Sequence, residues 1–249
     1  MSVLLLGPSG VFETEGGATG TMADMLRQSL GRLHPDTAWT CKAQFFYISE
    51  TMAERVVKVV RQEQPDAVAF LVGSPAFADD FVVYRIRELF PQLFEASLRL
   101  SRMIKVIAGG GSEGSGGPRG LVFRLPRRLV AKVLGASPIC PLDDAIRLTE
   151  QTIDSLVRLE ELALVCRGGV ANPMYAEAAR EHRRRVDVFN RALSVHCQER
   201  RVPFYVLQSE MSAAGHPIRF LGDGGHLSRF TREFDMEKAA AHLAASLVS

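Results

Sequence analysis

Apolar residues follow two patterns along this chain of 249 residues. Short apolar runs predict strands at 1–7, 66–72, 162–166 and 203–208, and a stretch rich in aromatic residues predicts one at 39–48. Continuous runs such as 66–72 are typical of strands buried on both faces. Longer stretches with apolar residues at helical spacing predict helices at 21–33, 51–63, 143–160, 175–200 and 236–247. Because strands and helices alternate, we expect right-handed crossovers and a mainly parallel sheet with helices on both faces.

Five predicted strands of this kind indicate an α/β fold, a three-layer α/β/α sandwich with a flavodoxin-like, mainly parallel five-stranded sheet. In such sheets ligands bind at the carboxyl ends of the strands. Ser9, Ser49 and Ser74 follow the first three predicted strands. We therefore expect all three to emerge at the ligand-binding edge.

One region, 81–142, interrupts the alternation and is longer than an ordinary connection. It begins with a predicted helix and contains a glycine-rich linker at 109–118, followed by a basic amphipathic stretch at 121–134. We interpret 1–249 as a single domain with this insertion. The stretch suits a lid, a partner or dimer surface, a membrane-surface helix, or a packed helix with a solvated basic face.

The net charge and the length of the apolar stretches indicate which kinds of partner to expect. The chain has 30 basic and 28 acidic residues, a net charge of +2, which favours neither nucleic acid nor an anionic membrane. The cluster at 180–185 lies within a predicted helix and is interpreted as a solvated face. No apolar stretch is long enough to span a bilayer, and the N-terminal run is too short for a signal peptide, so we expect a soluble, cytoplasmic protein without stable membrane insertion. The sequence leaves the oligomeric state open.

The four cysteines are scattered, without a C-x-x-C pair, which argues against a zinc site or a disulfide framework and favours buried free thiols. The acidic pairs at 79–80 and 143–144 suit helix caps better than a metal site. The glycines near residue 10 fit neither nucleotide-binding fingerprint. We therefore expect no cofactor and no metal.

Two short segments carry the candidate chemistry. The first strand runs into Gly7-Pro8-Ser9-Gly10, and Asp223-Gly-Gly-His226 lies near the other end of the chain. A serine with a histidine and an aspartate can form a hydroxyl nucleophile, its base and the acid that orients the base. The plainer alternatives are that Ser9 belongs to a turn or caps a helix, and that Asp223 begins a turn beside a surface histidine.

These segments resemble the SGNH, or GDSL-type, hydrolase superfamily over nearly all of the chain except the insertion. The residues V-L-L-L-G-P-S-G at 3–10 match the first block of the family, a strand that ends in Gly-Asp-Ser-Leu, and put Ser9 at the nucleophile. The last block, Asp-x-x-His, is matched by Asp223 as the orienting acid and His226 as the base. The segment 64–73 is similar to the strand that leads to the third block.

The chain departs from the family in three places. Pro8 replaces the aspartate before the nucleophile, and Ser49 is the nearest match to the glycine whose N–H helps bind the oxyanion. Pro75 stands at the position of the asparagine that donates to the oxyanion in the third block, so that side-chain amide and a backbone N–H are lost. The neighbouring Ser74 hydroxyl is the candidate replacement donor.

The resemblance implies a serine hydrolase that acts on a small-molecule or glycan ester, such as an acetyl ester, through an acyl-enzyme. Ser9, His226 and Asp223 would form the triad, with the oxyanion hole at Ser9, Ser49 and Ser74. Two alternatives remain. One is a protein of this fold with impaired catalysis that works as a binding or scaffold module, and the other is an acyltransferase that uses the same triad.

Overall fold

The computed structural model describes residues 1–8, 21–73, 75–78, 138–159, 161–171, 179–220 and 227–248. They belong almost entirely to one of the two compact units into which the chain divides, Met1–Ala78 together with Cys140–Ser249. The predicted insertion lies outside the described residues as far as residue 137, and with it the linker and the basic stretch.

The described elements alternate as the sequence predicts. In chain order they are β1 (Ser2–Gly7), α1 (Met22–Leu33), β2 (Thr40–Phe45), α2 (Met52–Glu63), β3 (Ala67–Leu71), α3 (Pro75–Ala78), α4 (Leu142–Val157), β4 (Ala163–Arg167), α5 (Ala179–Glu199), β5 (Phe204–Tyr205), α6 (Leu207–Ala213) and α7 (Arg229–Val248). The five strands form one sheet in the order β2-β1-β3-β4-β5, and every neighbouring pair is parallel. The predicted α/β sandwich with a flavodoxin-like parallel sheet is confirmed.

The apolar runs form strands because both faces of the sheet are covered. In β1, Leu4 and Leu6 enter a core cluster with residues of α2, α4 and α5, whereas Val3 and Leu5 enter a second cluster with residues of α1 and α7. Each of these four side chains is almost fully buried. Successive side chains of a strand point to opposite faces, so only an apolar run fits a strand between two helical layers.

The predicted strand at 203–208 is wrong in its second half. Only Phe204 and Tyr205 pair with β4, and α6 begins at Leu207. Leu207 and Met211 are four residues apart and bury one helical face against Val170. After Tyr205 the chain therefore forms a helix that buries Leu207 and Met211, although its residues also suit a strand. The predicted strand at 39–48 also pairs over a shorter range, 40–45, although Phe46 and Ile48 beyond it are buried.

The last helix begins seven residues earlier than predicted, at Arg229 instead of 236. Its first two turns contain Arg232 and Asp235, charged residues that obscure the apolar period although both are buried.

In α5 the predicted start at 175 lies outside the described residues. Arg184 pairs with Glu181 on the exposed face of that helix, as expected for the cluster at 180–185, but His182 is buried, at 3% exposure.

The cysteines are free, as predicted, and three of the four are buried, whereas Cys41 is partly exposed. Asp143 and Asp144 lie in the first turn of α4 instead of capping it, since the N-cap residue is Pro141. The pair at 79–80 lies outside the described residues. None of the described helices is long and apolar enough to cross a membrane.

Asp154 joins α4 to α5 and generates a pH-dependent contribution to stability. Its Oδ1 accepts from Arg200 Nε at 2.7 Å and lies 2.9 Å from His196 Nε2. Arg200 first, and then His196, lower the pKa of Asp154. A carboxyl whose pKa is lower in the folded state stabilises the fold above its unfolded pKa, and this contribution is lost as the pH falls through the folded value.

We therefore expect Asp154→Asn to lower the free energy of unfolding at pH 7 by about 1 kcal/mol. The difference from wild type should shrink as the pH falls below about 4. Urea unfolding at several pH values measures both. Asp36→Asn, at an exposed site between α1 and β2, is the control and should stay close to wild type throughout. A difference that is independent of pH would contradict the electrostatic assignment.

Candidate active site

The segments that precede Ser9 and Ser74 are in contact at the carboxyl edge of the sheet. Pro8 follows β1, Gly73 lies two residues after β3, and these strands are parallel neighbours. A Cβ atom on Gly73 would lie 3.0 Å from Pro8 Cβ, so the glycine is what allows the two chains to come so close. Ser9 and Ser74 are each the next residue along the chain, and both lie outside the described residues.

Ser49 lies on the other side of this contact. It follows β2, which pairs with β1 on the flank opposite to β3. The Phe46 N–H donates to Gly7 O at 2.8 Å, which continues the pairing past the end of β2. Ser49 Oγ is buried and has no hydrogen-bond partner among the residues that the structure describes. A buried hydroxyl without a partner is costly, and such groups occur at functional sites.

The segment that contains Asp223 and His226 lies outside the described residues, but both of its ends are fixed. Phe220 and Leu227 form an antiparallel bridge, and the Ser228 N–H donates to Arg219 O at 2.9 Å. The buried Thr231 hydroxyl accepts from Arg219 N at 3.0 Å and donates to Arg219 O, also at 3.0 Å. One side chain of α7 therefore satisfies both backbone groups of the residue before the bridge.

This bridge is anchored beside the ends of β4 and β5. Phe220 and Leu227 pack against a small cluster formed by Val170, Leu207 and Met211. Val170 follows β4 and Leu207 follows β5, so the bridge lies on the carboxyl edge of the same sheet. The flanking residues of all four predicted site segments are thus attached to one edge.

Pro75 occupies the first position of the short helix α3. Proline suits this position because its missing N–H would have had no partner within the helix. Proline is thus well suited to position 75 in this fold, but it offers no N–H and no side-chain amide. An oxyanion donor would have to come from another residue.

Three of the cysteines lie in environments that disfavour the reactive thiolate form. Burial raises the pKa of Cys41 to about 12 and that of Cys140 to about 11, so both thiols are poor nucleophiles at neutral pH. Burial also raises the pKa of Cys166 well above its ordinary value. The described residues contain no group of three or more His, Cys, Asp or Glu that could hold a metal ion.

Sequence reasoning missed one polar cluster, formed by Arg167, Asp235 and Tyr205. Arg167 ends β4 and is 4% exposed, and Asp235 in α7 is fully buried. Arg167 Nη1 lies 3.1 Å from Asp235 Oδ2, and the Tyr205 hydroxyl donates to Asp235 Oδ1 at 2.8 Å. An arginine at the end of an apolar run was the available signal, because a buried charge requires a partner.

Burial changes the pKa values of Asp235 and Tyr205 in this cluster. Burial raises the pKa of Asp235, whereas the Arg167 guanidinium and the hydrogen bond from Tyr205 oppose that shift. Burial also raises the pKa of the Tyr205 phenol well above its ordinary value, so Tyr205 is a neutral hydrogen-bond donor at any physiological pH.

Comparison with known proteins finds a similarity in structure alone. No family model matches the sequence, and no curated protein does. The chain is similar to Axe2, an acetylxylan esterase from Geobacillus stearothermophilus, at 14% identity and a TM-score of 0.58, with 97% of this chain and 93% of that one covered. It is also similar to LAE5, an alpha/beta hydrolase from the metagenome of Lake Arreo, Spain, at 12% identity, a TM-score of 0.56 and coverage of 97% and 95%.

Variants of Axe2 also match, each at 13% identity and with 97% of this chain and 93% of that one covered. In three that are described as catalytic mutants, a serine, an aspartate or a histidine is replaced by alanine, and the TM-scores are 0.58, 0.59 and 0.59. In Axe2 the replaced aspartate lies three positions before the replaced histidine. At such low identity the likeness establishes a shared fold.

The Pro8 contact makes Gly73 a sensitive position. We expect Gly73→Ala to lower the free energy of unfolding by about 1–2 kcal/mol, because the added methyl group would push against the proline ring. The matched control is Gly31→Ala in α1, where an added Cβ meets nothing within 4 Å. That change should raise stability by about 0.5–1 kcal/mol. Equal effects of the two substitutions in urea unfolding would contradict the contact.

Proposed function

We propose that this protein is a serine ester hydrolase with Ser9 as nucleophile, His226 as general base and Asp223 as the residue that orients His226. The proposal is supported by the residues that flank the candidate segments, all of which lie at one edge of the sheet. Pro8 and Gly73 are in contact, and the Phe220–Leu227 bridge holds the ends of the Asp223 segment beside β4 and β5. Ligands bind at this edge in open parallel sheets.

The structural neighbours support the same choice of chemistry. The catalytic mutants of Axe2 replace a serine, an aspartate and a histidine, with the last two at the spacing of Asp223 and His226. The order of the three residue types along the chain also agrees. We infer that a small acyl ester, and first of all an acetyl ester on a glycan, is the substrate class to test.

The mechanism follows from the roles of the three residues. His226 removes the proton of the Ser9 hydroxyl as the oxygen attacks the acyl carbonyl, and Asp223 holds the imidazole in the tautomer that allows this transfer. The tetrahedral intermediate collapses to an acyl-enzyme when His226 protonates the leaving alcohol. Water, activated by the same base, then releases the acid and restores Ser9.

The oxyanion must be stabilised without a side chain at Pro75. The backbone N–H groups of Ser9 and Ser49 supply two donors in this proposal, and the Ser74 hydroxyl supplies the third. Ser74 follows Gly73 directly, and Gly73 is in contact with the residue before Ser9. This short covalent path makes Ser74 the nearest side-chain replacement for the lost amide.

The triad is tested by the hydrolysis of 4-nitrophenyl acetate and of acetylated xylo-oligosaccharides. We expect Ser9→Ala and His226→Ala each to lower kcat by about 10⁴- to 10⁶-fold, and Asp223→Asn by about 10⁴-fold. Ser155→Ala, at a half-buried serine of α4 whose hydroxyl donates to Gln151 O in the same helix, is the control and should keep wild-type kcat. Full activity in Ser9→Ala would refute the proposal, and a folded wild type without activity would favour the scaffold alternative.

The oxyanion assignment has its own test. Ser74→Ala should lower kcat by about 10²-fold or more with little change in KM, because the donor acts on charge that develops only in the transition state. Ser74→Thr keeps a hydroxyl and should recover most of the loss. If Ser74→Ala retained wild-type kcat while Ser9→Ala lost it, the hydroxyl would not be the replacement donor.

A further inference from the structure

The buried ion pair between Arg167 and Asp235 connects elements that carry flanking residues of both halves of the proposed site. Arg167 is the last residue of β4, and its backbone carbonyl accepts from Val72 N at 3.1 Å. Its Nη2 reaches Val72 O at 3.5 Å. Val72 is followed by Gly73, which is in contact with Pro8, the residue before Ser9. Val72, which the guanidinium contacts, is two residues before Ser74 along the chain.

The other partner of the pair belongs to the element that fixes the His226 segment. Asp235 lies one helical turn after Thr231 in α7, and the Thr231 hydroxyl bonds both backbone groups of Arg219. The Tyr205 hydroxyl at the end of β5 donates to the same carboxylate. The pair therefore connects the ends of β3, β4 and β5 to the first turns of α7.

Stability alone does not explain the presence of this pair. A buried ion pair gains little over a well-packed apolar pair, because both charges lose their hydration. Within the part of the chain that the structure describes, Arg167 Nε and Nη1 and Asp235 Oδ2 are buried without a hydrogen bond, although Nη1 and Oδ2 are 3.1 Å apart. What the pair adds over apolar side chains is a specific pairing, since each buried charge must lie beside the other.

We propose that Arg167 and Asp235 are positioning residues that set the separation between the Ser9 and Ser74 segments and the His226 segment. The pair touches no substrate and transfers no proton. It acts by holding the start of α7 against the end of β3, two elements that flank the His226 and Ser74 segments. This inference rests on the proposed function, and part of its test does not depend on activity.

The decisive variant is the double replacement Arg167→Met with Asp235→Leu, which removes both charges together and leaves neither partner alone in the core. The backbone carbonyl of residue 235, which lies 3.2 Å from the Tyr205 hydroxyl in the wild type, then remains as its acceptor. We expect the melting temperature to remain close to that of wild type, while kcat for 4-nitrophenyl acetate falls by about 10- to 100-fold and KM changes little.

The matched control removes an exposed ion pair from the same helix. Arg32 and Glu237 join α1 to α7 at 2.9 Å, and both are solvent-exposed. Arg32→Met with Glu237→Leu should leave kcat and KM unchanged. If the buried double variant does not fold, Arg167→Lys is tested in its place. Lysine keeps the positive charge but lacks the planar guanidinium with its several donors, so kcat should fall while the fold is kept.

Amide hydrogen exchange tests the connection without an assay of activity. Peptides that cover 66–73 and 227–235 should exchange faster in the buried double variant, or in Arg167→Lys, than in wild type and in the exposed control. Wild-type kcat in a folded variant, or unchanged exchange in both peptides, would overturn the inference. If the wild type hydrolyses no ester, the proposed function fails, and the exchange comparison alone decides whether the pair makes the connection.

Discussion

The close approach of Pro8 to Gly73 is the constraint on which the proposed site depends. Parallel pairing brings the carboxyl ends of β1 and β3 side by side, and a glycine lets the two chains touch directly beyond them. A side chain at position 73 would separate the segments that lead into Ser9 and Ser74. A nucleophile and an oxyanion donor must lie within a few ångströms of each other. The glycine is therefore a condition of the chemistry as much as of the packing.

The second half of the site depends on polar contacts instead of apolar packing. The bridge between Phe220 and Leu227 is small, and it is reinforced by the Thr231 hydroxyl and by packing on Val170. Asp235 and Arg167 continue this polar arrangement into the interior between sheet and helix. Groups of this kind add little stability but restrict geometry, which is what a base that must face a nucleophile requires.

The fold could be predicted from the sequence because its strongest signals are local. The continuous apolar runs of β1 and β3 indicate strands buried on both faces, and the helices between them have a clear apolar period. Prediction failed where burial depends on partners far apart in sequence. Leu207 joins a helix because Val170 lies beside it, and Asp235 is buried because Arg167 neutralises it. Neither partner can be read from the neighbouring residues.

The candidate site was predictable in part for the same reason. The Asp-x-x-His spacing and the serine after β1 are motifs that a single sequence displays. The way in which Thr231, Asp235 and Arg167 hold the flanks of those motifs requires the folded chain. The triad residues themselves stay a prediction from motif, order and the positions of their flanking residues.

The proposed catalysis requires that Ser9 be a nucleophile activated by His226. The most direct measurement is reaction of the folded protein with a fluorophosphonate, followed by peptide mapping by mass spectrometry. We expect one adduct, on the peptide that contains Ser9, and its loss in His226→Ala without loss of fold. An adduct on another serine, or no adduct in a folded wild-type protein, would contradict it.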